Sequence, residues 1–257
     1  MKVLAAIDQT AAARPVLAAS HELARMFGAE VSAVHVVQDG VERVRELAAA
    51  QGVPLLELEG PPAATLADAV EDDEDAVALV VGTRARPHGR EIGSTALELV
   101  TSAHKPVVAI PPELPAEIAI RRVLVPLEGS LPTSYAPYAV LEAPGAEHVE
   151  IVILHVVEED ALPPFSDQPQ HEWETFCHEF LARYSRWPFE QVRLETRVGR
   201  PDQHILPVAR ELDCDLIALA WAQELAPGRA SIVRETLRRG SIPVLLLPVR
   251  AALEAAV

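Results

Sequence analysis

The chain has 257 residues, and 22 basic against 38 acidic side chains give a formal net charge of −16. A surface this acidic excludes nucleic acid and anionic membrane as main partners, because phosphate recognition needs a basic face. A hydrophobic fraction of 49% is enough for a large core, yet no apolar run approaches the ~18 residues of a spanning helix.

The first elements follow in order. Val3–Ile7 reads as a buried strand, and Ala12–Phe27 as a helix that Gly28 ends. Val31–Val37 is a strand, Val41–Ala50 a short helix and Leu55–Leu58 a strand. Ala63–Val70 is a helix that runs into the acids Glu71–Asp75, expected as a solvated helix end. Ala76–Val81 is a strand apolar on both faces, Thr95–Ala103 a helix and Pro106–Ile110 a strand. Continuous apolar strands alternating with helices call for a parallel sheet covered on both faces, with right-handed crossovers.

The chain then matches itself. Val3–Asp8 resembles Val123–Glu128, and Ala33–Val37 resembles Ile153–Val157, both at an offset of 120. Gly60-Pro61-Pro62 aligns with Gly199-Arg200-Pro201 at 139, and Val77–Val81 with Ile217–Trp221 at 140. Gly93-Ser94-Thr95 aligns with Ala230-Ser231-Ile232 at 137, as Pro106 does with Pro243. A constant order with stepped offsets marks a duplication whose insertions fall in connections. The copies are too long for solenoid repeats and read as tandem domains, 1–112 and 120–250, joined by the proline-rich Pro111–Pro115.

The second copy gives strands Val123–Leu127, Val149–Val157, Val192–Val198, Leu216–Trp221 and Pro243–Leu247. Its helices are Thr133–Leu141, Asp202–Leu212 and Ile232–Arg239. It differs by an insert at about 158–190, which holds seven of the eleven aromatic residues. Trp173, Phe176, Phe180, Tyr184 and Trp187 form one helical stripe, which either packs on its own sheet or serves as a lid or partner surface.

Chemistry in an open parallel sheet sits beyond the carboxyl ends of the strands. Asp8 follows the first strand, and Gly82–Thr95 follows the fourth. That segment carries Gly82, Gly89 and Gly93, Arg84, Arg86 and Arg90, His88, and the pair Ser94-Thr95, and then opens a helix. Glycines admit close backbone approach, a helix N-terminus offers free N–H groups and partial positive charge, and arginines add cations. Together these suit an anion, most simply phosphate; the competing reading is an ordinary solvated loop.

Other groups point less far. His35 and His155 read as core histidines bonded to backbone. Cys214 reads as structural, and two cysteines fit a reducing cytosol without a disulfide framework. The N-terminus is too short in its apolar part for a signal peptide, so a cytoplasmic location is expected. His171, Cys177 and His178 lie near Glu174, but 171 and 178 are two turns apart, so no metal site is expected. No Gly-x-Ser-x-Gly, Walker lysine loop or HExxH occurs, and no catalytic residue is assigned.

These motifs, in this order and in two copies, resemble the universal stress protein family. The resemblance rests on Val3–Asp8, Ala33–Val37, Val80–Arg84, Gly93-Ser94-Thr95 and Lys105–Val108, and on Val123–Ser130, Leu154-His155-Val156, Val198–Pro201, Cys214–Ile217 and Pro243–Leu245. It implies α/β architecture: two tandem open five-stranded parallel sheets of order 3-2-1-4-5, Rossmann-like, with helices on both faces. It implies pairing through the last strands, so that one chain forms an internal pseudo-dimer; a further homodimer stays open. It also implies ATP or another adenine nucleotide, with Mg²⁺, around the acid after strand one, a residue at the end of strand two and a Gly-x2-Gly-x9-Gly-Ser/Thr loop. Those positions are Asp8, Val36 or Val37, Gly82, Gly93, Ser94 and Thr95, with Arg84 and Gly89 in the same loop.

The departures bear on that expectation. Ala85 replaces the second glycine, and Gly82 and Gly93 are 11 residues apart where the pattern has 13. In the second copy Gly82 corresponds to Ala220, Gly93 to Ala230 and Asp8 to Glu128, and Trp221 opens the loop. One working copy beside a scaffolding copy is therefore expected, in a stress-response regulator. The alternatives are an interaction protein that takes no nucleotide, with an unidentified protein partner, and a slow nucleotide hydrolase.

Overall fold

A computed structural model of the chain describes residues 1–37, 41–84, 91–115, 117–127, 145–157, 192–221 and 229–248, with 175, 179 and 223 as isolated positions. The first half runs β1 (Lys2–Ala6), α1 (Ala13–Phe27), β2 (Glu30–Val36), α2 (Val41–Ala50), β3 (Leu55–Leu58), α3 (Pro62–Asp72), β4 (Ala76–Gly82), α4 (Ser94–Ser102) and β5 (Val107–Ile110). The second runs β6 (Arg122–Pro126), β7 (Glu150–Val157), β8 (Val192–Val198), α5 (Pro201–Glu211), β9 (Leu216–Trp221), α6 (Arg229–Arg239) and β10 (Val244–Pro248). The helix expected over Thr133–Leu141 and nearly all of the 158–190 insert lie outside the described residues.

Both halves have strand order 3-2-1-4-5, but they make one sheet. The order is β3-β2-β1-β4-β5-β10-β9-β6-β7-β8. Nine strand junctions result, and the central one, β5 with β10, is antiparallel: Ala109 faces Val244, Val108 faces Leu245 and Val107 faces Leu246. The other pairs are parallel. The two last strands therefore pair side by side and antiparallel, the two-fold arrangement that the resemblance implied for an internal pseudo-dimer.

The inner strands β4, β5, β9 and β10 are apolar throughout because they are buried on both faces, while the outermost β8 alternates, with Arg193, Glu195 and Arg197 along it and no residue fully buried. Val3 and Ala5 enter one core cluster with Val16, Leu17 and Leu23 of α1 and Val44 of α2. Leu4, between them, enters the other with Leu66 of α3, Leu99 of α4, Ile205 of α5 and Leu237 of α6. Each cluster continues across the junction, through Leu245 on one face and Leu246 on the other.

The pairing corrects one alignment. Leu4 pairs with Leu79, and its repeat mate Leu124 pairs with Ile217. Leu79 also pairs with Val107, as Ile217 does with Val244. The fourth strands thus correspond at an offset of 138, not 140; the similar Val-Ala-Leu and Ile-Ala-Leu runs hid a two-residue shift. Gly82 does correspond to Ala220, while Trp221 takes the place of Thr83.

The acids Glu71–Asp75 are not a merely solvated helix end. Glu71 accepts the backbone N–H groups of His104 (2.8 Å) and Lys105 (3.0 Å), and Asp73 pairs with Lys2 at 3.1 Å. The run knits the starts of β1 and β5 together. The linker is docked too: Leu114 and Ile118 pack on the α1 side of the core, and Glu22 of α1 accepts the Ile120 N–H at 2.9 Å.

Candidate functional site

The strand order turns at β1, which lies between β2 and β4. Beyond the carboxyl ends of these three strands a cleft of about 180 Å³ opens between α1 and the N-terminus of α4. Asp8, His35, Val36, Gly82, Arg84 and Thr95 line it, with Thr10, Ala12 and Leu66. Five of the candidate binding positions, Asp8, Val36, Gly82, Arg84 and Thr95, thus meet in one cavity, with His35 beside them.

Asp8 leaves β1 and turns the chain into α1. Its Oδ1 accepts the Thr10 N–H (2.8 Å) and the Thr10 hydroxyl (2.6 Å). This is an Asx-type turn, and the Asp-x-Thr spacing is the signal that marks Thr10. Val36 is buried in the wall of the cleft. Val37 is 37% exposed, outside the lining, with its N–H given to Leu58.

Of the candidate glycines Gly82, Gly89 and Gly93, the two that are described differ in what surrounds them. A Cβ on Gly82 would lie 2.9 Å from the Ala12 Cβ. Gly82 therefore lets α1 cross close over β4, which is a packing requirement. Gly93 has φ −61° and ψ 142°, which any residue adopts, and a Cβ there would meet only the Thr83 carbonyl oxygen, at 3.5 Å. Among the described residues nothing fills the space beside it. Its N–H donates to that same Thr83 oxygen at 2.8 Å, which fixes where α4 begins. Gly93 is the N-cap of α4 and offers no capping side chain. The first-turn N–H groups of Ser94, Thr95 and Ala96 therefore have no intrahelical acceptor and carry the positive end of the helix dipole. Thr95 lines the cleft, while Ser94 is exposed beside it. Gly89 lies outside the described residues.

Arg84 lines the cleft but is not a free cation. Its side chain is buried, with Nη1 donating to the Arg238 carbonyl (2.8 Å) and Nη2 to Glu113 (2.9 Å). The cationic role expected of it is thus directed at the second half and the linker.

His35 is 4% exposed, and its Nδ1 lies 2.8 Å from the Ile7 carbonyl oxygen, while Nε2 is buried with no partner among the described residues. The backbone bond was legible; the place on the cleft wall was not. His155 repeats the contact with Leu127 at 3.0 Å. Glu128, the counterpart of Asp8, lies outside the described residues, as do the side chains of Trp221 and Ala230.

Among the described residues no three His, Cys, Asp or Glu side chains group as a metal site. His171, Cys177 and His178 lie outside them. No described helix is long and apolar enough to cross a membrane.

The chain is similar to known proteins along its whole length. The universal stress protein Rv2623 of Mycobacterium tuberculosis is 30% identical over 143 residues, 54% of this chain and 46% of that protein. The match thus spans about half the length of the curated relative. The crystal structure of a universal stress protein from Archaeoglobus fulgidus superposes with a TM-score of 0.62 at 16% identity, covering 96% of both chains. That of PA1789 from Pseudomonas aeruginosa, described as functionally unknown, gives 0.68 at 12% identity, covering 98% of this chain and 94% of that one. At these identities the two structures establish the fold. The model of the universal stress protein family matches residues 41–111 and 119–248, in both halves, and the chain belongs to that family.

Proposed function

We propose that the first half binds an adenine nucleotide, ATP or a relative, in the cleft at the ends of β1, β2 and β4, and that the protein acts as a nucleotide-responsive regulator. One observation carries this reading: Thr95, in the first turn of α4 where the N–H groups lack intrahelical acceptors, and Asp8, the acid after β1, line one cavity, and that helix is capped by Gly93, a glycine that neither its backbone nor its described neighbours require.

The residues fit such a ligand in kind. The N–H groups of Ser94, Thr95 and Ala96 would take phosphate oxygens, with the Thr95 hydroxyl beside them. Val36 and Leu66 offer an apolar wall for a base. Asp8, with Oδ1 spent on Thr10, keeps its other oxygen for a ribose hydroxyl or a hydrated Mg²⁺, a cation that commonly takes one or two carboxylates plus phosphate oxygens. The metal would supply charge neutralisation at the phosphates. The cleft is tight: about 180 Å³, against the ~300–1,000 Å³ usual for ligand pockets. It suits one moiety of a nucleotide, with the remainder outside it.

That tightness also favours the second reading, an interaction protein that takes no nucleotide. The two are separated by denaturing extraction of the purified protein with mass spectrometry for released nucleotide, and calorimetric titration with ATP and Mg²⁺. About one nucleotide per chain supports the regulator. No nucleotide, and no heat at millimolar ATP, moves the function to a protein partner.

A further inference from the structure

Arg84 stands at a crossing of the two halves. Its neighbour Thr83 receives the Gly93 N–H on its carbonyl oxygen, and gives its own N–H to Ile110 of β5 at 2.9 Å. The position of the α4 N-terminus is therefore set by the backbone at Thr83. One residue on, the Arg84 guanidinium is held at 8% exposure between Glu113 of the linker and the carbonyl of Arg238. Arg238 lies in the last turn of α6, where carbonyl oxygens lack intrahelical donors and carry the negative end of the helix dipole. The neighbouring Arg239 carbonyl receives Arg210 at 3.4 Å, so α6 is capped by one arginine from each half. The Arg84 bond spans 154 positions of sequence.

We infer that Arg84 is a positioning residue that couples the cleft of the first half to the end of α6 in the second. Loosening it frees Thr83, and with it the seat of Gly93 and the α4 N-terminus. Conversely, a ligand that clamps the α4 N-terminus stiffens the end of α6, since coupling between two sites is reciprocal. The second half thus reports on the first through one side chain. The ligand arm of this inference rests on the nucleotide reading above; the coupling of the two segments does not.

The test is amide hydrogen exchange on the full chain, read at Gly93, whose N–H bonds to Thr83, and at Gly240, whose N–H bonds to Thr236 at the end of α6. Rates are taken relative to Leu79 in the core, so that general loss of stability cancels. Arg84→Met is expected to raise exchange at both sites by roughly tenfold, within the usual range of intersite coupling, and Arg84→Lys to restore part of the protection. Where Arg84→Met does not fold, Arg84→Lys and Glu113→Gln carry the same comparison. A rise at Gly240 without one at Gly93 would reduce Arg84 to a helix cap, and no rise at either site would remove it altogether; both outcomes overturn the inference. ATP should slow exchange at Gly240 in the wild type and not in Arg84→Met. ATP that binds the wild type without changing Gly240 overturns the coupling. A wild type that binds no ATP overturns the nucleotide reading alone, and the unliganded comparison still decides the coupling.

Discussion

His35 holds its Nδ1 2.8 Å from the carbonyl oxygen of Ile7, and 120 residues later His155 holds its own 3.0 Å from that of Leu127. A carbonyl only accepts, so Nδ1 carries the proton in both rings. The bond ties the end of β2 to the chain leaving β1, where the cleft begins. His35 is buried and His155 only half-buried. His35→Ala should therefore cost about 2–3 kcal/mol, a lost bond plus a cavity, and His155→Ala about 1 kcal/mol. Urea unfolding of the two variants checks this; equal losses would mean that burial does not set the difference.

The linker gives a pH dependence. The Arg25 guanidinium, and then the Ile120 N–H, hold the Glu22 carboxyl below its usual range, against the opposing effect of burial. A depressed carboxyl stabilises the fold above its unfolded pKa of about 4.3 and loses that contribution as pH falls through the lower folded value. Glu22→Gln should cost about 1.5 kcal/mol at pH 7, the lower end for a hydrogen bond to a charged group. The gap in melting temperature between variant and wild type should hold down to pH 5 and close below it. A gap that widens in acid would refute the role of the charge.

Burial pushes the Cys214 thiol up to about 11. The side chain is 5% exposed, just before β9. Reactivity needs thiolate. Iodoacetamide at pH 8 should leave Cys214 unmodified in the native chain and alkylate it in denaturant, as read by peptide mass mapping. Rapid native alkylation would mean that the start of β9 opens readily.

Sequence showed most of the fold because the inner strands are buried on both faces, unlike the outermost β3 and β8. Runs such as Val3–Ile7 and Leu216–Trp221 then stand out without any alternation to interpret. Strand register was another matter. Val77–Val81 and Ile217–Trp221 look alike at an offset of 140, yet cross-strand pairing fixes 138, because identical apolar residues fit either frame until their neighbours are known. The cleft residues Asp8, Gly82 and Thr95 were legible, since each follows a strand or opens a helix. Arg84 was misleading for the opposite reason. An arginine in a glycine-rich loop reads as an anion ligand, and nothing nearby in sequence discloses acceptors at Glu113 and Arg238. Glu71 likewise seemed part of a solvated run, because its backbone partners are 33 and 34 positions away.

Gly82 and Gly93 separate packing from binding. A Cβ at Gly82 would collide with Ala12, whereas one at Gly93 meets only ordinary contact with Thr83. Gly82→Ala should lose about 1–3 kcal/mol, as overpacked sites do, and Ala12→Gly in the same chain should recover part of it. Gly93→Ala should leave the melting temperature within a few degrees, because neither its φ nor its surroundings oppose a methyl group. Its effect should fall on the ligand: a methyl group at the mouth of the α4 N-terminus stands where phosphate oxygens would approach the first-turn N–H groups, and Gly93→Val stands there more fully. Calorimetric titration with ATP should show affinity falling from wild type to Gly93→Ala to Gly93→Val at unchanged stability. Unaltered affinity across that series would remove the α4 N-terminus from the site, whatever else the cleft binds.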